Sequence, residues 1–549
     1  MAKNLLSIII VVLFGIIAGF PFLHEGLIPT HDAEYHIIRF FLFNESFNDG
    51  NLYPRWTAHL NNGFGVPLFT FVYPLPNYIA VFLHSLNISF IDSFRFEMFA
   101  AIIIGAIFLY LWAKEFWGRL GGIVSSVFYT FSPYHFVDTY IRGSIGEVWA
   151  LAFFPAFLWA YVKFIKTRQK TFLMLSSIFL ASIIFSHNIL ALMFFLFALS
   201  YIIFSISREK NKKYLVLNTL LIILLALGLS AIFWLPAIYE TRFVTGLQIF
   251  DVTSHFPDLY QLLIPTWGSG FSAAGLQNEI SFQIGIANLI VIFLSALITM
   301  ALIIRRKKLN LHVVFFLMWF FFVLFLMLDI SKAVWKTVPL LNYFQFPWRL
   351  LSIEILFAAF LAGGVISVTR NRIFKITISA ILIFLAFVLG IGYIKPAYYH
   401  YRNDNYYITR PNFIDGTNSP GNVFNTIFLN SIPDKKKEKL EFVKGKGKIS
   451  VVDSKSNLHK FKIDTDKDSE IIVNIAYYPG WEVYINGKKV DVSPTKNGRF
   501  TFLLPSGENN VKIIFNDTFV RSFSAFISFL SLLLVIALFK VKRFVTISK

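Results

Sequence analysis

Twelve apolar runs, each about as long as a bilayer's hydrocarbon layer is thick, constrain this chain more than any other feature. A helix rises about 1.5 Å per residue, so roughly 20 apolar residues are enough to cross that layer. Runs of this kind lie at about 5–23, 95–113, 119–136, 148–165, 171–186, 187–206, 214–236, 282–304, 311–329, 349–369, 373–393 and 522–541. With 56% of its 549 residues hydrophobic and only 15% charged, the chain reads as a membrane protein and not as a soluble globular one. The first run follows Lys3 as a secretory signal would. It is long, however, and Ala18-Gly19-Phe20 lacks a small-x-small cleavage pattern, so it reads as a span.

Charge fixes the expected orientation. If the N-terminus is cytoplasmic, the inner loops hold 22 basic residues against two acidic ones, Glu115 and Glu209, a net of +20 where the whole chain carries +19. The positive-inside rule therefore accounts for the entire excess, and no nucleic-acid partner is needed to explain it. Both termini are expected in the cytoplasm of a multi-pass protein of the cell membrane. Pro67–Leu86 would invert every later loop if it crossed; Pro67, Pro74 and Pro76 disfavour a continuous helix, so it is expected to dip into the outer interface. Cysteine is absent, which excludes disulfides and thiolate chemistry.

Between the last two spans the composition turns to Lys, Asp, Asn and Gly with alternating apolar residues. Trp481, Val483 and Ile485 alternate with polar neighbours, and Asn486-Gly487 supplies a hairpin turn. Strands are expected at 449–452, 461–463, 471–475, 500–504 and 511–515, forming a small antiparallel β-sandwich. Tyr477, Tyr478 and Trp481 are expected to be exposed there, while Tyr398–Arg402 and Tyr406–Tyr407 read as an interfacial aromatic stem. Three parts follow: a multi-span domain over 1–393, an extracytoplasmic β-rich domain over 394–521, and a final span with a basic cytoplasmic tail over 522–549.

The densest polar group is Thr30-His31-Asp32-Ala33-Glu34-Tyr35-His36, followed by Arg39. Asp32 and His36, four apart, would share one helix face, a pairing suited to a general base or to a divalent ion; the plainer alternative is a solvated helix start. A second outer loop, 132–147, carries Arg142 and Glu147, which would contribute little stability as an exposed ion pair. His187 sits at an outer turn and reads first as a structural residue. Arg349, in FQFPWR, would face either lipid headgroups or a substrate phosphate. Few acids lie within spans, Glu354 being the clearest, which argues against a proton-coupled carrier. The halves show no self-similarity, which argues against an inverted-repeat transporter.

PTHDAEYHIIRF, GNLYPRW with NNGFGVPLFTFVYPLP, SPYHFVDTYIRGSIGEVWA, FQFPWRLL and YYPGWEVYINGKKV carry a resemblance over about residues 5–541. Together they resemble the GT-C superfamily of membrane glycosyltransferases. More narrowly, they resemble the bacterial YfhO-like proteins and the membrane proteins labelled 6-pyruvoyl-tetrahydropterin synthase-related. The pterin part of that label implies no activity here, since the chain has neither the soluble αβ body of such a synthase nor an H-x-H ligand pair. The GT-C resemblance implies a polytopic all-α membrane fold of about 12 helices with an outward C-terminal β domain. It also implies inverting sugar transfer from a polyprenyl-phosphate donor to an extracytoplasmic glycan, lipid or protein. Asp32 would then be the general base with Glu147 as a second catalytic acid, Arg349 and Arg142 the donor-phosphate cations, and Glu34, His36 and His187 the orienting groups. Some members bind Mg or Mn and others do not, so a metal on Asp32 and His36 stays open. Two alternatives remain beside transfer: a transporter or flippase of lipid-linked saccharides, and a noncatalytic envelope-assembly protein.

Overall fold

A computed structural model describes residues 2–246, 251–273, 279–409 and 423–540; the basic tail expected after residue 540 lies outside them. The apolar runs fold as helices: α1 (Ala2–Gly19), α2 (Ala33–Asn48), α3 (Leu75–Ser85), α4 (Phe90–Thr130), α5 (Ile145–Thr167), α6 (Lys170–Ser186), α7 (Asn188–Ser207), α8 (Lys212–Leu229), α9 (Ala231–Glu240), α10 (Ile286–Ile304), α11 (Leu311–Met327), α12 (Leu351–Val365), α13 (Arg372–Ile391) and α14 (Phe519–Lys540). Nine helices among the described residues are long and apolar enough to cross a bilayer, or ten if α11 and the following helix, bent by 87°, form one span.

This count falls below the twelve expected for three local reasons. Helix α6 has only 17 residues, and α11 ends in the bend. The 41-residue α4 is counted once although Gly118, at φ 72° and ψ −173°, turns it back on itself. The reversal is visible in Ser126, which donates to the Ala106 carbonyl at 2.8 Å, and at Gly122, where a Cβ would meet the Tyr110 carbonyl at 2.9 Å and the Lys114 Cβ at 3.1 Å. Only a glycine adopts this backbone at no steric cost. The Pro67–Leu86 segment forms a four-residue turn, Leu68–Phe71, and the 11-residue α3, so neither piece is long enough to cross.

The C-terminal part holds nine strands in two antiparallel sheets, ordered β1-β4-β8-β7 and β2-β3-β9-β5-β6. They are β1 (Leu440–Lys444), β2 (Gly447–Ser454), β3 (Leu458–Thr465), β4 (Ser469–Val473), β5 (Trp481–Ile485), β6 (Lys488–Val490), β7 (Ser493–Pro494), β8 (Phe500–Leu504) and β9 (Gly507–Phe515). Alternation buries Trp481, Val483 and Ile485 in one shared core with Phe461, Ile471, Phe502 and Ile513. Asn486 and Gly487 both take positive φ, 50° and 82°, the backbone of a tight hairpin between β5 and β6. Two of the three aromatic residues expected on the surface lie inside instead, Tyr478 at 0% and Trp481 at 3% exposed, because Tyr478 donates to Glu240 and Trp481 packs edge-on against Trp56 of the first long loop, while Tyr477 is half-buried.

This domain is bound to the helical part at several points. Ala476 N–H donates to the Phe64 carbonyl at 2.7 Å, and Asn61 donates to Asn425 Oδ1 at 2.9 Å. The Phe71 and Phe424 rings stack with centroids 5.6 Å apart. At the start of α14, buried Arg521 pairs with Glu240 at the end of α9.

Candidate active site

Asp32 caps α2, and the strand-like chain before it is fixed by backbone bonds to the second loop. His31 N–H donates to the Ile141 carbonyl and Asp32 N–H to the Arg142 carbonyl, both at 2.9 Å. Thr30 Oγ1 accepts from Ala33 N–H at 3.1 Å and lies so close to Gly143 that a Cβ there would meet it at 2.0 Å. The glycine therefore lets the two loops touch. The half-buried Asp32 carboxylate makes no hydrogen bond or ion pair among the described residues.

The second loop is a wide π-helical turn, Val137–Arg142, of the kind that often marks functional sites. It turns Arg142 inward onto two carboxylates: Nη1 donates to Asp138 Oδ1 at 2.5 Å and Nη2 to Glu147 Oε1 at 2.6 Å. Arg349 approaches the same Glu147 oxygen through Nε at 3.1 Å. Its Nη1 donates to the Phe344 carbonyl at 3.2 Å and to Gln345 Oε1 at 2.6 Å, and its Nη2 makes no hydrogen bond among the described residues. His187 Nε2 lies 3.8 Å from Glu147 Oε1. Burial, with Arg349 and Arg142 beside it, brings the His187 imidazole down to about 3 despite Glu147, so it is neutral at physiological pH.

Arg142 and Glu147 are thus a buried pair and not the exposed one expected; both side chains are enclosed. A buried pair of this sort is energetically costly unless its spare lone pairs are bonded. Here they are not: Glu147 Oε2, Asp138 Oδ2 and the Tyr134 hydroxyl are buried without a hydrogen-bond partner. A ligand that donates hydrogen bonds, or water, would satisfy them.

Glu147, Arg142, Arg349 and His187, expected from the sequence, come together around one carboxylate, with Asp32 tied to them through the backbone. Glu34 is half-buried and already engaged within the protein. His36 is buried, its ring against Phe40 and Phe94, and burial with Arg39 and His187 nearby lowers its pKa well below the usual histidine range. Among the described residues no three His, Asp or Glu side chains converge as a metal site. Asp138 and Tyr73 complete the cluster without having been singled out. Nothing in an aromatic-rich apolar segment marks one tyrosine, although the closely spaced Gly143 and Gly146 signal that something packs hard against this turn.

The chain has no significant match among curated proteins. Residues 423–531 match the family model described as bacterial membrane protein YfhO. Residues 69–395, more than half of the chain, match the model of the 6-pyruvoyl-tetrahydropterin synthase related domain of membrane proteins; the chain belongs to this family of multi-pass membrane proteins.

Proposed function

We propose that this protein is an inverting membrane glycosyltransferase that moves a sugar from a polyprenyl-phosphate donor to the hydroxyl of an extracytoplasmic acceptor. The supporting observation is a carboxylate without a protein partner, Asp32, held beside a buried arginine–carboxylate cluster. Asp32 takes the acceptor's proton as its oxygen bonds to the anomeric carbon. The bond from that carbon to the phosphate oxygen breaks, and its electron pair leaves on the lipid phosphate. General-base assistance of this kind contributes about 10²- to 10⁴-fold in rate.

Arg349 meets the developing phosphate charge with the guanidinium edge that carries Nη2, while Arg142, bonded to both Asp138 and Glu147, supplies fixed positive potential. Glu147 acts by holding the two guanidinium groups in place, and neutral His187 completes the wall of the site. The excess of basic residues in alternate loops supports an orientation with both termini in the cytoplasm and the β domain and the site facing outward, where lipid-linked and not nucleotide-linked sugars are at hand.

Transfer of labelled hexose or pentose from short-chain polyprenyl-phosphate donors by the purified full-length protein tests this. Wild type should transfer, and Asp32→Asn should lose about 10²- to 10⁴-fold with unchanged thermal stability. A folded Asp32→Asn protein with the full rate removes the base, and absence of transfer from every such donor removes the activity.

A further inference from the structure

The motif YYPGWEVYINGKKV, residues 477–490, carries the β5–β6 hairpin and takes no part in the Glu147 cluster. A pocket of about 290 Å³ is lined by Trp481, Glu482 and Lys489 from this motif and by Asp491, Asn516 and Asp517, close to the lower bound of roughly 300–1,000 Å³ usual for small-ligand sites. Glu482 fixes two of these groups: Oε1 accepts from Lys489 Nζ and Oε2 from Asn516 Nδ2, both at 2.5 Å. The Lys489 ammonium keeps two further N–H donors. The carboxylates of Asp491 and Asp517 accept no hydrogen bond among the described residues; Arg55 Nε stays 3.6 Å from Asp517, whose side chain is 55% exposed. Trp481 is by contrast enclosed. Its indole N–H is buried without a hydrogen-bond partner, and so is the hydroxyl of Thr518, another residue of the pocket wall.

We propose that this pocket binds a sugar ring, at a place that shares no residue with the candidate active site. Its wall offers acceptors and donors together: the carboxylates accept only, whereas the ammonium and the indole N–H donate only. A hydroxyl does both, so adjacent hydroxyls on one ring match both kinds of wall group. An anionic ligand would face three carboxylates. A bare cation would be repelled by the Lys489 ammonium and would leave the indole N–H unbonded. The pocket also stands where the chain meets lipid, since Thr518 is followed by Phe519, the first residue of α14 and 82% exposed. A ring on a lipid headgroup and the end of a free glycan both reach this level. Because no residue is shared, loss of transfer in Asp32→Asn leaves this binding untouched.

Acetylation of Lys489 by a water-soluble succinimidyl ester, read by mass spectrometry on the full-length protein in phosphatidylglycerol nanodiscs, tests this, with exposed Lys488 beside it as the internal control. The probes are the methyl glycosides of glucose, galactose, N-acetylglucosamine and arabinose, nanodiscs that carry monoglucosyl diacylglycerol, and calcium ion alone. At least one glycoside or the glycolipid should slow acetylation of Lys489 and not of Lys488. Asp491→Ala, which removes an exposed carboxylate without a protein partner, should raise the half-protecting amount about tenfold at an unchanged melting temperature. Protection by a free glycoside assigns the pocket to a glycan chain, and protection confined to the glycolipid nanodiscs assigns it to a headgroup; either supports the sugar site. No protection by any sugar probe, equal protection of Lys488, protection by calcium alone, or undiminished protection in Asp491→Ala overturns it.

Discussion

Two buried arginine–carboxylate clusters in this molecule are built from the same residue types and finished differently. Where α9 meets α14, Glu240 uses both oxygens: Oε1 accepts from Arg521 Nε at 2.8 Å, and Oε2 accepts from Arg521 Nη2 at 2.9 Å and from Tyr478 at 2.8 Å. Arg521 spends its remaining capacity on the Pro479 and Asn516 carbonyls. Around Glu147, by contrast, one oxygen collects two arginines while the other has no partner, and Asp138 likewise keeps a bare oxygen. A closed cluster fastens the β domain to the last helix. An open one retains capacity for something that is not protein, and this difference separates a joint from a site more sharply than burial or charge does.

Matched substitutions would break the comparison most directly. Glu240→Gln should cost about 3–5 kcal/mol of stability, because Arg521 is left buried without a counter-charge, while transfer per folded molecule stays at the wild-type value. Glu147→Gln also takes the carboxylate from Arg349, but Arg142 keeps Asp138 as its counter-charge and the open cluster starts with oxygens already unbonded, so the loss should be smaller. Denaturation of both variants in one detergent decides this; equal losses would erase the distinction between the clusters. Next in size, Arg349→Lys keeps the charge but loses the planar fork. It should reduce kcat/KM for the donor about a hundredfold, about 2.7 kcal/mol in transition-state terms, at nearly unchanged melting temperature.

The smallest effect lies in the β domain and depends on pH. His459 is 2% exposed on β3, hydrogen-bonded to Ser454 at 2.8 Å, and burial holds its imidazole down to about 4. The unfolded chain takes up a proton near pH 6.5 that the folded one refuses until about 4. Stability is therefore fully present above 6.5 and lost as the pH falls through this window, by about 2 kcal/mol at pH 5. His459→Gln should lose less stability than wild type between pH 7 and 5 by about that amount, measured by urea denaturation. Parallel curves for the two proteins would show that other buried histidines carry the acid sensitivity.

Much of the fold was legible because it rests on local patterns. Apolar runs predicted the helices, prolines predicted that 67–86 would not cross, and period-two alternation with Asn486-Gly487 predicted the β5–β6 hairpin. The site was legible only as a set of polar residues in loops of one expected side. Their meeting at Glu147 depends on Gly143 and Gly146 admitting Thr30 and Tyr73 at contact distance, a tertiary fact with no periodic signature. The aromatics near 477–481 were misplaced for a similar reason. Outward-looking polar neighbours at a strand start do not reveal that Trp56, more than 400 residues earlier, covers that face.

The turn at Gly118 bears on how the protein is made. Its two limbs, held face to face by Ser126 and the Ala106 carbonyl, are joined without intervening loop residues. A corner this tight leaves no slack between the limbs, so tags or epitopes inserted there are expected to disrupt assembly where the same insertion in the Arg305–Lys308 loop would be tolerated, a difference that expression and melting of the two insertion variants would read.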